Sequence, residues 1–469
     1  MTDRRQFDGI VIGAGQAGGP LATALARAGW QMAVIEREFA GGTCINWGCT
    51  PTKTLAASAR VAYLARRAGE YGVQTGEVGV DMGTVHQRMK DIVLSWRASS
   101  RSAIEDAEGV TYIEGEASFL DARTVQVRTG DDASRTLSAA RAIFINTGQR
   151  PRIPEIDGLE DAGYLTNVSI LELETLPEHL IILGGGYVGL EFGQMFRRFG
   201  SEVTIIDHGP RCLRREDDDV AEAATRIVRD EGVTVYTGTT VERVERCDDG
   251  TLRLSARTPN GPASLRGSHL LVAAGRIPNT DRLNLPAAGI ETDERGYIRT
   301  NDWLETTAPS VYALGDVKGG PAFTHVSYDD FRIVRDRLLG DQTRSARKRL
   351  IPYVVFIDPQ LAHIGLKEHE ARQQGYRVRV ARLPMSDVAR AVETSETRGF
   401  MKAVVDADTG QILGATVLGA EGGEIVSMLE IAMMGGLPYT ALRDGIFAHP
   451  LLAESLNNLF ARLDEGDAD

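Results

Sequence analysis

Cysteine and long apolar runs are both scarce in this sequence of 469 residues. Four cysteines are too few for a secreted disulfide framework and suit a reducing compartment. No apolar run approaches the ~20 residues that span a bilayer. Asp8 and the following glycines interrupt the N-terminal stretch that comes nearest to a signal peptide. These absences exclude a membrane bundle and predict a cytoplasmic protein.

Basic side chains are outnumbered, with 52 Lys and Arg against 65 Asp and Glu, which gives a formal net charge of −13. That charge opposes general binding to nucleic acid or to an anionic membrane, so any anionic ligand must be held locally. Hydrophobic residues make up 42% and charged residues 25%, as in ordinary folded proteins. The length predicts about three domains.

A unit of strand, glycine turn, helix and strand occurs twice along the chain. The first copy consists of a strand at 7–12, Gly13, Gly15, Gly18, a helix to Ala28, and a strand at 32–35 before Glu36. The second consists of a strand at 180–183, Gly184, Gly186, Gly189, a helix to about Phe199, and a strand at 202–206 before Asp207. In both copies the acid follows the first glycine by 23 residues.

This pattern predicts two dinucleotide sites. The first glycine permits a tight turn, the second lets the backbone approach a pyrophosphate, and the helix N-terminus stabilises the phosphate charge. We expect Glu36 and Asp207 to accept hydrogen bonds from ribose hydroxyls.

A second repeated pattern predicts where the chain crosses between domains. Strands at 142–146 and 270–273 are each followed by a Gly-x-x-Pro turn, at Gly148 and at Gly275. The chain is expected to leave the first nucleotide domain (1–149), form the second (150–275) and return to the first (276–345). Strands and apolar helices beyond residue 346 predict a separate α+β domain.

Cys44 and Cys49 lie in the segment GGTCINWGCTPTK. Zinc would need about four ligands, and no second cysteine pair or neighbouring histidine completes a tetrahedron. Two buried structural thiols are a further interpretation. Pro51, in the first turn of a following helix, favours a reactive setting instead, because a helix N-terminus stabilises a thiolate. A redox-active disulfide is the best interpretation.

The cysteine segment resembles the active site of the class I pyridine nucleotide-disulfide oxidoreductases, which include dihydrolipoamide dehydrogenase, glutathione reductase and mercuric reductase. The resemblance extends through 300–316, whose YALGD is similar to the family's second FAD motif, to His449-Pro450 and Glu454. It covers essentially the whole chain. It therefore implies an α/β protein with two Rossmann-like domains, for FAD and NAD(P), and a C-terminal α+β dimerisation domain at 346–469.

By position, the resemblance implies FAD on the first glycine motif and NADH or NADPH on the second. Cys49 would be the charge-transfer thiol and Cys44 the interchange thiol that meets the substrate. Lys53 would approach the flavin with its family ion-pair partner Glu191, although both also suit an ordinary helix surface. The other implied cofactor-binding positions are Gly42, Thr43, Gly148, Gly275, Asp316 and His325, with Tyr187 over the nicotinamide pocket.

The nicotinamide nucleotide is less well defined. Asp207 favours NADH because it repels a 2′-phosphate. Four basic residues follow that could accommodate this phosphate: His208, Arg211, Arg214 and Arg215. A solvated loop balanced by the acids of 216–219 explains the arginines equally well. The sequence leans to NADH and leaves NADPH open.

His449 and Glu454 are a candidate acid/base pair. Five residues on a helix are about 140° apart and would not share a face. If Pro450 begins the helix, however, His449 precedes its first turn and Glu454 leans back toward it. The pair then suits general acid/base work on the interchange thiol. The resemblance implies that His449 serves the partner subunit's site, and hence a homodimer.

Within the family, the sequence most resembles the reactive-chlorine-resistance flavoproteins, a mercuric reductase-like group whose members reduce metal ions such as Cu(II). The segments that carry this resemblance are 323–336 and 436–457. His325 stands where a tyrosine is expected. No cysteine follows Cys247, so the C-terminal pair that delivers mercury in mercuric reductases is missing. Residues 447–451 read FAHPL, where dihydrolipoamide dehydrogenase has His-x-His-Pro-Thr.

Three functions remain open. The first is reduction of a metal ion of the Cu(II) or Hg(II) type, or of a disulfide, in oxidant or metal defence, since soft thiolates suit both ions. The second is a dihydrolipoamide dehydrogenase. The third is a redox sensor whose cysteine pair switches partner binding without significant turnover. No resident metal is expected.

Overall fold

A computed structural model describes residues 4–130, 133–340 and 342–464. The chain divides into two compact units. The first comprises Met1–Thr54, Thr84–Ile153 and Gly275–Arg349, and the second comprises Leu55–Gly83, Pro154–Ala274 and Leu350–Asp469. Each unit has its own sheets and its own buried cores.

Residues 4–153 contain the first glycine motif and the cysteine pair. Their helices and strands are β1 (Arg4–Ile12), α1 (Gly18–Arg27), β2 (Met32–Glu36), α2 (Gly42–Asn46), α3 (Cys49–Arg66), α4 (Met82–Glu105), β3 (Val110–Glu114), β4 (Glu116–Asp121), β5 (Thr124–Arg128), β6 (Ser134–Ile145) and β7 (Gln149–Pro151). β1 begins three residues before its predicted start, because Arg4–Phe7 pair with the first half of β6.

Residues 154–274 contain the second glycine motif. Their elements are α5 (Leu159–Ala162), β8 (His179–Leu183), α6 (Tyr187–Phe199), β9 (Glu202–Ile206), α7 (Asp218–Asp230), β10 (Thr234–Tyr236), β11 (Thr240–Arg246), β12 (Leu252–Thr258), β13 (Gly261–Gly267) and β14 (His269–Val272). The predicted helix end at Phe199 and the predicted strand at 202–206 are confirmed.

The remaining chain returns to the first unit and then completes the second. Residues 275–340 contain β15 (Arg276–Pro278), β16 (Val311–Ala313) and α8 (Thr324–Leu339). Residues 350–464 contain β17 (Tyr353–Val355), β18 (Gln360–Gly365), α9 (Glu368–Gln373), β19 (Val378–Pro384), α10 (Ala389–Glu393), β20 (Phe400–Asp406), β21 (Ile412–Gly419), α11 (Gly422–Met434), α12 (Tyr439–Arg443) and α13 (Ser455–Ala461). None of the helices within the described ranges is both long and apolar enough to cross a membrane.

A seven-stranded sheet organises the first unit, in the order β3-β2-β1-β6-β5-β4 with β16 also on β6. β3, β2, β1, β6 and β16 are parallel, and β5 and β4 extend one side in antiparallel pairing. Ile10, Val11, Ile143 and Phe144 are fully buried, as in a parallel sheet that is covered on both faces. The carboxyl ends of β1 and β6 lie side by side, which sets the place of the first glycine turn.

The second unit repeats this design with the parallel sheet β10-β9-β8-β14. It adds the antiparallel sheet β11-β12-β13 and a five-stranded antiparallel sheet, β17-β18-β21-β20-β19. Leu429 of α11 and Phe460 of α13 belong to the core that contains the buried side chains of β20 and β21. The α/β and α+β parts of the predicted fold class are thus both present.

The two Gly-x-x-Pro segments form a ladder rather than the predicted turns. β7 and β15 pair in antiparallel register, with Gln149 opposite Pro278 and Pro151 opposite Arg276. Proline is tolerated here because a two-stranded ladder has only edge strands. The chain therefore leaves and re-enters the first unit at adjacent positions. The predicted domain ranges divide the chain more finely than the two units and stay predictions.

A buried ion cluster joins helices and strands of the second unit. Asp217 accepts hydrogen bonds from Lys402 Nζ at 3.0 Å and from the backbone N–H of Glu368 at 3.2 Å, and its Oδ1 lies 2.7 Å from His369 Nδ1. Lys402 Nζ is also 2.8 Å from a carboxylate oxygen of Glu368. Burial opposes the charge of Asp217, but the hydrogen bonds from His369 and Lys402 outweigh it and lower the pKa to about 2.

Replacing Asp217 by Asn should lower the free energy of unfolding by about 1 to 2 kcal/mol at neutral pH. A pKa below that of an unfolded aspartate means that the folded state binds fewer protons. The contribution is therefore complete above about pH 4 and is lost as the pH falls toward 2. Urea unfolding at pH 7 and pH 3 would measure it. Asp218→Asn, at a largely exposed neighbour, is the matched control. An equal effect at both pH values would contradict the assignment.

Candidate active site

The first glycine turn is held against the end of β6. Gly13 has φ +100°, and a Cβ atom there would lie 2.4 Å from the carbonyl oxygen of Asn146. The Asn146 side chain accepts the N–H of Gly18 at 2.9 Å and donates to the carbonyl of Leu314 at 2.9 Å. A Cβ atom on Gly18 would collide with the carbonyl oxygen of Gly13. The predicted glycines are therefore required by the packing of the turn itself.

The second glycine turn repeats this packing. Gly184 has φ +116°, and a Cβ atom there would meet the carbonyl oxygen of Ala273 at the end of β14. A Cβ atom on Gly189 would collide with the carbonyl of Gly184, whereas one on Gly186 would meet open space. That space lies at the N-terminus of α6, where a bound phosphate would gain from the backbone N–H groups.

Both predicted acids bind the backbone of their own motif. Glu36 accepts the N–H of Ala14 at 2.8 Å and the N–H of Glu38 at 2.9 Å, through different oxygens. Asp207 does the same with Gly185 at 2.7 Å and Gly209 at 2.6 Å. Each carboxylate oxygen keeps a lone pair for a ribose hydroxyl. Burial raises the pKa of Glu36, and hydrogen bonds from the neighbouring backbone N–H groups oppose that rise.

The cysteine loop begins directly on the first glycine turn. The N–H of Gly41 donates to the carbonyl of Ala14 at 2.8 Å, and Gln16 Nε2 donates to the carbonyl of Gly41 at 2.9 Å. A Cβ atom on Gly42, whose φ is +61°, would lie 2.9 Å from Gly15 Cα. Backbone therefore approaches backbone at this point, and Thr43 and Cys44 follow in α2.

Cys44 and Cys49 form a pair of thiols. Cys44 is half-buried in α2, and Cys49 is exposed as the first residue of α3. Hydrogen bonding to Cys49 is the largest cause that raises the pKa of Cys44, followed by burial. A helix N-terminus favours a thiolate. The residue at that position is Cys49, which begins α3, and not Cys44, whose pKa is raised.

Thr324 is a site residue that sequence reasoning missed. Its Oγ1 lies 3.5 Å from Cys49 Sγ, and its hydrogen bonding to Cys44 favours the thiolate there. Thr324 begins α8, immediately before the predicted residue His325. The His325 ring is exposed and stacks on Phe323, with centroids 5.4 Å apart and planes 8° apart. The one feature of the sequence that could have indicated this role is the hydroxyl of Thr324 at the start of a helix.

Asp316 lies in a turn that a second acid holds in place. Burial raises the pKa of Asp316, although Arg276 and Lys318 oppose that rise. Asp330 of α8 is fully buried and accepts the N–H of Gly315 at 2.7 Å. Its carboxylate is 3.2 Å from Lys318 Nζ and 2.7 Å from an Nη atom of Arg349. Asp330 is thus a buried acid beside this turn that no sequence motif marks.

The structure brings His449 and Glu454 together, but the predicted reason is wrong. His449 Nδ1 lies 2.8 Å from Glu454 Oε2, and the imidazole is 67% exposed. Pro450 does not begin a helix: α13 begins at Ser455, and Glu454 is its N-cap residue. The intervening residues form a turn, which brings the carboxylate back to the ring. The contact depends on that turn and not on helical periodicity.

Lys53 follows Cys49 by one turn of α3, as predicted. Glu191 is buried in α6, and its Oε1 accepts the N–H of Phe356 at 2.8 Å. Lys53 belongs to the first unit and Glu191 to the second, so their ion pair stays a prediction. Tyr187 is the first residue of α6 and is 39% exposed.

Two further predicted glycines leave space in front of their Cα atoms. Gly148 has φ +67° and Gly275 has φ +111°, and a Cβ atom on either would meet nothing within 4 Å. Both lie beside the β7-β15 ladder of the first unit. Their conformation, not crowding, therefore favours glycine.

The basic residues after Asp207 differ in their surroundings. Arg211 is engaged with Asp218, at 2.8 Å, and with carbonyl groups of its own loop. Arg214 runs alongside Gly209, where a Cβ atom would lie 2.5 Å from Arg214 Cδ and 3.0 Å from an Asp207 oxygen. His208 is largely exposed beside the same carboxylate. The choice between NADH and NADPH stays open.

Family comparison agrees with this site. Residues 7–330 match the model of the pyridine nucleotide-disulphide oxidoreductases, and residues 351–460 match the dimerisation domain of the same family. The chain therefore belongs to this family of FAD-dependent enzymes, which use NADH or NADPH. The predicted family, fold class and cofactors are confirmed.

Individual relatives span nearly the whole chain. It is 39% identical to the probable pyridine nucleotide-disulfide oxidoreductase RclA of Escherichia coli strain K12 over 460 residues, 97% of this chain and 99% of that one. The Cu(II) complex of the HOCl-induced flavoprotein disulfide reductase RclA from Escherichia coli superposes with a TM-score of 0.89 at 38% identity, with the same coverage. A mercuric reductase of Lysinibacillus sphaericus is 35% identical over 457 residues, 97% of this chain and 82% of that one. A dihydrolipoyl dehydrogenase of Chlorobaculum tepidum is 35% identical over 453 residues, 96% of each chain.

The residues of the first unit fit FAD. Its glycine turn has the backbone conformation that a pyrophosphate needs, and the partly buried Glu36 carboxylate has lone pairs for ribose hydroxyls. Asp316 and Thr324 belong to the same unit as the cysteine pair. Glu36, Asp316 and the first glycine turn would hold the cofactor.

Replacing Glu36 by Gln should weaken FAD binding about 10- to 100-fold, because a neutral amide loses a charge-assisted hydrogen bond to the turn. Fluorescence titration of the apoprotein with FAD would measure this. Asp207→Asn should raise the KM for the nicotinamide nucleotide and leave FAD affinity unchanged. Glu38→Gln, at an exposed side chain, is the matched control. Equal loss of FAD in the Asp207 variant would contradict the assignment of the two motifs.

Proposed function

We propose that this enzyme passes electrons from NADH or NADPH through FAD to the pair Cys44 and Cys49, and from there to a metal ion of the Cu(II) or Hg(II) type or to a disulfide. The observation that carries the proposal is the thiol pair itself: Cys44 lies in α2, Cys49 begins α3, and a Cβ atom on the intervening Gly48 would lie 3.2 Å from Cys44 Cα. Glu36, Asp316 and the first glycine turn would hold FAD, which when bound would supply two-electron transfer between the nicotinamide nucleotide and the cysteine pair.

Cys44 and Cys49 have different roles in the proposed reaction. Two electrons and two protons convert the Cys44–Cys49 disulfide to two thiols. Cys49, at the helix N-terminus, is the sulfur that is better stabilised as a thiolate. Cys44 keeps its proton until a base removes it, and then attacks a disulfide acceptor. That attack breaks the S–S bond of the acceptor and leaves one of its sulfurs as a thiol and the other in a mixed disulfide with Cys44. Cys49 then attacks Cys44, which re-forms the Cys44–Cys49 bond and frees the second sulfur of the acceptor as a thiol.

A metal acceptor uses the same two thiols. Each Cu(II) takes one electron, so two ions re-oxidise the pair, whereas one Hg(II) takes both electrons. Thiolate sulfur is a soft ligand that suits both metals. The Cu(II) complex of the structural relative and the mercuric reductases among the sequence relatives support this acceptor class. A dihydrolipoamide dehydrogenase is the second candidate, favoured by the relative that is 35% identical and by the His449–Glu454 contact.

Oxidation of NADH and NADPH by the FAD-loaded protein, with Cu(II), Hg(II) or lipoamide as acceptor, would test the proposal. Cys44→Ser should lower turnover with metal and disulfide acceptors at least about 100-fold, because the interchange thiol is lost. Cys247→Ser is the matched control, since this thiol lies after β11 in the second unit. Strong lipoamide turnover that depends on Cys44, without metal turnover, would establish the second candidate instead.

We place His449 in the partner subunit's site within a homodimer. The family match of 351–460 to a dimerisation domain supports this assembly, and so does the exposed imidazole. Glu454 would orient the ring and stabilise its charged form. The scarcity of cysteine supports a cytoplasmic location.

Mixing Cys44→Ser with His449→Ala protein should restore activity, although each variant alone is nearly inactive. Random exchange of subunits makes half of the dimers hybrid, and one of the two sites in each hybrid is intact. About a quarter of wild-type disulfide reductase activity is therefore expected. The measurement is activity after subunit exchange, with unmixed variants as controls. No recovery in proven hybrids would place His449 in its own subunit's site.

A further inference from the structure

The loop at 40–49, which contains both cysteines, is organised by the buried side-chain amide of Asn46. Asn46 is 3% exposed and lies midway between Cys44 and Cys49. Its Nδ2 donates to the carbonyl of Ala40 at 3.0 Å and to the carbonyl of Gly42 at 2.9 Å. Asn46 thus ties the start of the loop to its middle, and its Oδ1 is left to accept from outside the loop.

Arg97 of α4 supplies that outside donor. Its Nε donates to Asn46 Oδ1 at 2.6 Å. The guanidinium lies over the Phe39 ring, with Cζ 3.7 Å from the ring centroid, and Phe39 packs against Trp47 with centroids 6.0 Å apart. A planar cation held between an amide and an aromatic face has little freedom to rotate. Arg97 therefore connects α4 to the cysteine segment in two ways, through its hydrogen bond to Asn46 and through its contact with the ring of Phe39.

We propose that Arg97 is a positioning residue for the redox pair, and that its contacts with Asn46 and Phe39 hold Cys44 and Cys49 at the separation from which their disulfide forms. The proposal rests on the proposed function, because it concerns the same pair. Arg97 acts through Asn46 and is not itself part of the chemistry.

The direction of the effect follows from the geometry of a disulfide. Its sulfurs must approach to about 2.05 Å within a narrow range of torsions. The two ends of this segment already lie close together, since a Cβ atom on Gly48 would be 3.2 Å from Cys44 Cα, and closing the bond therefore costs little conformational freedom. Without Arg97, the loop samples more conformations. The disulfide then loses stability relative to the dithiol. The midpoint potential of the pair therefore rises.

Arg97→Met should shift the dithiol–disulfide equilibrium about tenfold toward the dithiol, which is ~30 mV for a two-electron couple. The measurement uses the FAD-loaded full chain in anaerobic mixtures of reduced and oxidised glutathione, without a nicotinamide nucleotide. Oxidised glutathione takes the two electrons and two protons as the Cys44–Cys49 bond forms. Alkylation and mass analysis of the peptide that holds both cysteines gives the fraction of each form.

Three further variants separate position from charge and from folding. Arg97→Lys keeps the charge but has no planar fork, and should shift the equilibrium as Arg97→Met does. Arg101→Met removes an arginine one turn along α4 that pairs with Glu105, and should shift nothing. Phe39→Leu keeps the hydrogen bond to Asn46 and should give a smaller shift in the same direction, which still tests the proposal if Arg97→Met fails to fold.

The outcomes separate the proposal from the function on which it rests. Equal potentials in wild type, Arg97→Met and Phe39→Leu would overturn the positioning role and leave the proposed function intact. A wild-type potential in Arg97→Lys, with a shift in Arg97→Met, would overturn it in favour of a charge effect. A wild-type pair that never forms a disulfide in oxidised glutathione would overturn both.

Discussion

The structure depends on one recurring contact, in which a carboxylate at the end of the second strand accepts the N–H of the second residue of a glycine turn. Glu36 makes it to Ala14, and Asp207 makes it to Gly185. A charged acceptor fixes the turn with the N-terminus of the following helix directed at the same region. In the first unit this turn also carries the cysteine loop, because the backbone of Gly41 bonds to Ala14 and Gly42 packs on Gly15. The nucleotide site and the redox pair are therefore parts of one backbone arrangement.

In the second motif the same contact, from the N–H of Gly185 to Asp207, holds a turn that packs against a different kind of loop. Its turn packs against the basic loop after Asp207, and a Cβ atom on Gly185 would lie 2.5 Å from Cys212 Sγ. Burial raises the pKa of that thiol to about 11, so Cys212 packs as an apolar group. One turn thus supports the loop with the cysteine pair, and the other packs closely against a single cysteine. The loop after the second strand of each motif, rather than the glycine turn, therefore distinguishes the two sites.

Local patterns predicted the parts of the molecule that are built locally. The glycine motifs, the strands on either side of them and the start of α3 at Cys49 depend on neighbouring residues, so the sequence could reveal them. The hydrogen bond of Arg97 to Asn46 spans 51 residues and that of Thr324 to Cys49 spans 275, and no periodicity marks either. The β7-β15 ladder was missed for the same reason, because each half resembles a proline turn. The turn between Pro450 and Glu454 is local, but proline at the start of a helix was the more familiar pattern.

The protonation of the cysteine pair links these features to the chemistry. Two thiols in contact cannot both ionise readily, because a second thiolate would repel the first. The hydrogen bond to Cys49 and burial raise the pKa of Cys44, while Cys49 is the first residue of α3. Cys44 is then a poor nucleophile at neutral pH unless a base removes its proton. An exposed imidazole held by a carboxylate, as in His449 and Glu454, is the kind of group that meets this need. In the proposed reaction with a disulfide acceptor, the protonated Cys44 would therefore need such a base, and this pair would supply it.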